Sequence, residues 1–188
     1  MSHPHSHELP TAGAALSAVA LSATLHCLTG CALGEIAGMI IGTAAGLSNA
    51  ATIALSVLLA FVFGYTLTSL PLLRAGLAFA AVVPIALASD TFSIGLMEIV
   101  DNAIVAFIPG ALDAGLADIL FWGSLSFSLA VAGVAAFPLN RWLIARGRGH
   151  TAVHKTGIHG GPSPRLVGAI AIAGGVFGAV VLIADAIG

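Results

Sequence analysis

Cys27, Cys31 and Glu35 follow one another at four-residue intervals, and His26 adjoins the first of them. Thiolate, imidazole and carboxylate together suit zinc, whereas thiolate, imidazole and thioether select copper(I), so the run carries metal-ligand chemistry. On an α-helix four residues advance about 400°, which makes the three side chains one slowly drifting stripe. A parallel ladder of Gly30, Gly34, Gly38, Gly42 and Gly46 lies about 100° around the same helix. Glycine at that spacing lets another helix come close in lipid, where packing drives association. It is a candidate face for a homo-oligomer.

The two cysteines would have Cα atoms about 6 Å apart with nearly parallel Cβ vectors, a poor disulfide geometry, so they are better placed to share a ligand. The competing reading is that both are small packing residues. His26 points about 100° away from Cys27 and could instead hydrogen-bond a neighbouring helix.

A second set of polar residues, Asp90, Thr91, Ser93, Glu98, Asp101 and Asn102, interrupts the third hydrophobic stretch, with Met97 among them. Helical angles place Asp90, Met97 and Asp101 within about 40° of one another, with Glu98 to one side. Each intramembrane acid costs about 2.5–3.5 kcal/mol on insertion scales, so such residues need partners or a wet cavity. No Lys or Arg lies within any hydrophobic stretch to pair with them. A metal ion or bound protons would have to neutralise the charge; protonated, hydrogen-bonded helix contacts are the plainer alternative. Matched by depth at about 1.5 Å per residue, Cys27 and Cys31 fall near Asp90, and Glu35 nearer Glu98 and Asp101.

These side chains must be held by membrane helices. The chain is 59% hydrophobic and 7% charged, against about 25% charged in soluble domains, with a mean hydropathy of +1.08. A span needs roughly 20 apolar residues, and stretches near 13–46, 50–72, 75–109, 114–138 and 166–187 qualify. The expected fold is all-α: a polytopic membrane helix bundle of four core transmembrane helices with a fifth C-terminal one. Residues 1–11 read as a His-containing cytoplasmic tail, 12–142 as the four-helix core, 143–165 as a flexible His-containing cytoplasmic linker and 166–188 as the fifth helix. Pro84 should kink the third span, and Pro138 should end the fourth, leaving Asn140, Arg141 and Trp142 at the interface. The residues before the first span hold no Lys or Arg, so no cleavable signal peptide is expected.

All six basic residues, Arg74, Arg141, Arg146, Arg148, Lys155 and Arg165, fall in connections on the same side as the N-terminus. The positive-inside rule then puts that side in the cytoplasm. His3, His5 and His7 and a second group of His150, His154 and His159 share this side and could gather metal weakly, although their spacing matches no closed zinc motif.

The run Leu25-His26-Cys27-Leu28-Thr29-Gly30-Cys31-Ala32-Leu33-Gly34-Glu35, with Ser89-Asp90-Thr91, Met97-Glu98-Ile99-Val100-Asp101-Asn102 and Phe137-Pro138-Leu139-Asn140-Arg141-Trp142, resembles a bacterial family of small four-helix membrane proteins catalogued as a domain of unknown function. The similarity covers roughly residues 24–150. It implies the membrane fold and a bacterial inner-membrane location, makes the first four spans the core, and supplies no activity.

The leading functional expectation is binding or transport of a transition metal, copper first and zinc second, at an intramembrane site drawn from His26, Cys27, Cys31, Glu35, Asp90, Met97, Glu98 and Asp101. An enzyme is the second reading. A thiol oxidoreductase normally presents Cys-x-x-Cys at a helix start, and a di-iron bundle uses Glu-x-x-His pairs; the sequence has neither. A non-catalytic helix-packing scaffold would explain the glycines but not the acids. Six basic residues and a net charge of −2 exclude a nucleic-acid surface; the partners expected are the lipid bilayer and a metal ion.

Overall fold

In hydrocarbon every backbone N–H and C=O must be bonded within the chain, so long apolar runs become helices. The structure, a computed structural model, describes residues 12–154, 156, 158 and 163–187. It consists of α1 (Gly13–Ala44), α2 (Asn49–Arg74), α3 (Phe79–Phe107), α4 (Ile119–Ala145), the single turn α5 (Thr151–His154) and α6 (Pro164–Ile187). All but α5 are long and apolar enough to cross a membrane. His3, His5, His7 and His159 lie outside the described residues, as does the side chain of His154.

The first four long helices close a bundle in which α1 touches α2, α3 and α4, while α6 lies outside it against α4 and α1. Polarity is arranged as a membrane demands. Phe92, Ile99, Phe107 and Val134 point outward and are 67–88% exposed, whereas Thr24, Asp90, Ser93, Asp101, Ser128 and Asn140 are buried. Trp142 and Trp122 mark opposite ends of α4, as interfacial aromatics do.

The glycine ladder is used within the chain. Gly30, Gly34, Gly38 and Gly42 are buried and meet Gly64, Ala60, Ser56 and Thr52 of α2 in turn. A Cβ on Gly30 would lie 2.8 Å from the Gly64 Cα, closer than such atoms come. The expected homo-oligomer face is therefore corrected: α2 covers it. Gly46 does not belong to the stripe, because it has left the helix at φ 64°. There it turns the chain so that the Leu47 N–H reaches the Gly42 carbonyl at 2.9 Å.

Pro138 does not end the fourth helix, which runs on to Ala145. The consequence is that Asn140 is turned inward and buried rather than set at the interface. Its Nδ2 donates to Thr24 Oγ1 and to Ser93 Oγ, both at 2.9 Å, tying α4 to α1 and α3. Pro84 likewise sits inside α3, near its start, without dividing it.

Candidate functional site

The polar side chains form an axis inside the bundle, in three levels. At the level nearest the N-terminal face, α1 supplies His26 and Cys27, α3 supplies Asp90, and the turn after α4 supplies His150. One ligand atom from each of His26, Asp90 and His150 lies within 4.8 Å of the other two. His150 Nε2 is 3.0 Å from Asp90 Oδ1 and 3.5 Å from Cys27 Sγ, and Cys27 Sγ is 3.9 Å from that same carboxylate oxygen. The rings of His26 and His150 meet edge to face with centroids 5.2 Å apart. Thr68 of α2 holds the His26 imidazole, Nε2 to Oγ1, at 2.9 Å.

Local backbone geometry explains how His150 gets there. Gly147 leaves α4 at φ 70° and Gly149 follows at φ 60°, conformations that glycine adopts without a Cβ penalty. The Arg148 N–H returns to the Leu143 carbonyl at 2.9 Å. The chain therefore doubles back over the end of the bundle, and His150 enters it with 6% exposure. Burial by itself would lower the basicity of His150, but its hydrogen bonds to Asp90 and Cys27 outweigh it, and the imidazole is pushed up to about 10. Without a metal the protonated ring pairs with Asp90; a metal ion bound there would take the place of that proton.

Two imidazoles and a carboxylate converge from three separate parts of the chain, a donor set that fits a metal ion, and the Cys27 thiol lies beside two of the three. Asp90 Oδ2 is buried without a hydrogen-bond partner among the described residues, so the carboxylate retains acceptor capacity. Both cysteines are free.

The second level holds Cys31 and Met97, with Sγ 3.9 Å from Sδ. The structure thus separates the two cysteines: Cys27 joins the histidines, and Cys31 packs one turn deeper against the thioether. The third level holds the remaining acids. Glu35 of α1 lies against Glu98 of α3, and Asp101 accepts from Ser128 Oγ of α4 at 2.6 Å. Asn102 turns back on its own helix and donates to the Glu98 carbonyl oxygen at 2.9 Å. From the opposite face a cavity of about 350 Å³ runs in past Asn49 and Asp113 to Glu35 and Asp101.

All eight expected site residues therefore lie on one axis, but not in one shell. His150, Thr68 and Asn140 were not among them. His150 sits in a hydrophilic segment rich in glycine that reads as linker, and the signal that could have found it is the Gly-x-Gly immediately before it, after a helix. Thr68 and Asn140 carry no motif; each is recognised only when its helix is packed.

An outward apolar surface around a buried polar axis defines an integral membrane protein of the helical-bundle class. The chain belongs to the family described as a domain of unknown function, DUF4396, which matches residues 18–149. The match spans the four-helix bundle, stops one residue before His150 and leaves out α6. No curated protein and no solved structure matches the chain.

Proposed function

We propose that this protein binds a divalent transition metal ion, zinc ahead of copper, at His26, Asp90 and His150 with Cys27 as the fourth donor, as a station in moving the ion through the membrane. The observation that carries the reading is the convergence of the three ligand atoms within 4.8 Å in a buried setting. Two nitrogens, one oxygen and one sulfur are a four-coordinate zinc set. Copper(I) would favour the softer pair, Cys31 and Met97, which offers only two donors. Thr68 would act as an outer partner that fixes the orientation of the His26 ring. On the positive-inside rule this centre lies toward the cytoplasm of a bacterial cell, with the protein in the inner membrane. Below it, Cys31 and the acids continue the polar axis toward the cavity at the other face.

Equilibrium dialysis against Zn²⁺ tests the reading, with detergent-purified protein in which His3, His5 and His7 are replaced by Ser. About one zinc per chain is expected. Asp90→Asn and His150→Ala should each weaken binding by tenfold or more, on the order of the loss seen when metal-site partners are removed. Equal zinc affinity in wild type and both variants would contradict it.

A further inference from the structure

The acids at the far end of the axis are not used by the His26, Asp90 and His150 centre. Counted along α1 from Cys27, Glu35 lies about 12 Å away from it. We infer that Glu35, Glu98 and Asp101 form a second cation site, built from oxygen donors alone, which takes a hard divalent ion of the calcium, magnesium or manganese type from the cavity at the face opposite the N-terminus.

Glu98 carries the argument. It is 4% exposed, and neither of its carboxyl oxygens meets an N–H or O–H donor among the described residues; the weakly donating Cys31 thiol is its one polar neighbour besides the acids. Its carboxyl group faces that of Glu35, whose Oε1 is also buried without a partner among the described residues. Two acceptors set against each other in an apolar bundle are costly unless a cation or a proton stands between them. No basic side chain can serve: neither α1 nor α3 holds a Lys or Arg, and among the described residues Arg74, Arg141, Arg146, Arg148 and Arg165 stand at the N-terminal face, the opposite end of the bundle. Asp101 is different: one of its oxygens is already oriented by Ser128, which leaves the carboxylate free to contribute another. Carboxylate and amide oxygens suit hard ions rather than zinc or copper.

The cavity decides what kind of ion can enter. At about 350 Å³, and with about 30 Å³ per water, it can hold on the order of ten waters. An ion can therefore reach Glu35 and Asp101 with most of its hydration shell and exchange only part of it for carboxylate oxygen. That is how hard divalent ions, magnesium above all, bind sites with few protein ligands. The Asn49 Nδ2 to Asp113 Oδ1 bond of 3.0 Å joins the start of α2 to the loop before α4 at the mouth of the same cavity, and Asp113 adds an acid at its entrance.

The inference does not depend on zinc at the other centre, and Mn²⁺ as probe keeps the two apart. Purified full-length protein is titrated with Mn²⁺, following loss of the free-ion electron paramagnetic resonance signal. Wild type should bind Mn²⁺; Glu35→Gln and Glu98→Gln should each weaken it by about tenfold or more; and His150→Ala should match wild type. Glu35 lines the cavity, so Glu35→Gln tests the site even where the more deeply buried Glu98→Gln fails to fold. Failure of wild type to bind Mn²⁺ would overturn the inference and leave protons as the neutralising species. So would binding that Glu35→Gln leaves intact and His150→Ala abolishes.

Discussion

At the scale of residues, the chemistry rests on contacts between side chains distant in sequence. Cys27 and His150 are 123 positions apart, and Asn140 reaches Thr24 across 116. The stripe of Cys27, Cys31 and Glu35 was legible because a four-residue step on a helix forces a common face. So was the depth match of Glu35 with Glu98 and Asp101, which follows from helical rise once both helices start from the same side. What the spacing could not show is that the stripe divides between three levels, because that depends on what each neighbouring helix presents there. Thr68 is the clearest example, an ordinary hydroxyl in an apolar helix until α2 packs against His26. Thr68→Val keeps its shape and removes the hydroxyl. It should lower zinc affinity by about 10–100-fold, in line with loss of an outer partner, while the thermal unfolding of the metal-free protein stays close to wild type; dialysis and a melting curve read the two effects separately.

At the scale of elements, α1 is the organiser. One of its faces is stripped to glycine so that α2 can lie close; the adjacent one carries the reactive side chains toward α3 and α4. This explains why glycines and ligands alternate along the same helix: close approach on one side sets the distance at which Thr68 reaches His26. A bulky residue in the seam should separate the pair. Gly34→Val places a side chain against the Ala60 backbone and should destabilise the protein by about 1–3 kcal/mol, the usual cost of overpacking, seen as a lowered Tm in detergent. Gly115→Ala, where no described atom lies within 4 Å of an added Cβ, should leave Tm unchanged. The limits of α4 were not legible in the same way. Proline usually ends helices in soluble proteins, but in a bundle neighbouring groups tolerate it, and the helix continues for seven residues past Pro138. That continuation buries Asn140 and delivers the chain to the Gly147–Gly149 turn.

At the scale of the whole molecule, the class of fold was the most legible feature, since five long apolar stretches without a Lys or Arg, in a chain this hydrophobic, admit few alternatives. The internal arrangement was less so, because hydrophobicity alone does not say which helices touch. The packed bundle puts a nitrogen, oxygen and sulfur centre near the N-terminal face and an oxygen-only cluster beside a cavity at the other, with Cys31 and Met97 between. Donor sets of different hardness at different depths would suit different ions. The most direct measurement of the central claim is X-ray absorption at the zinc edge on zinc-loaded protein, with His3, His5 and His7 replaced by Ser. The expected first shell has nitrogen and oxygen scatterers at about 2.0–2.1 Å and one sulfur at about 2.3 Å, and Cys27→Ser should remove the sulfur contribution. A shell of oxygen alone, or a sulfur signal that survives Cys27→Ser, would contradict the centre described.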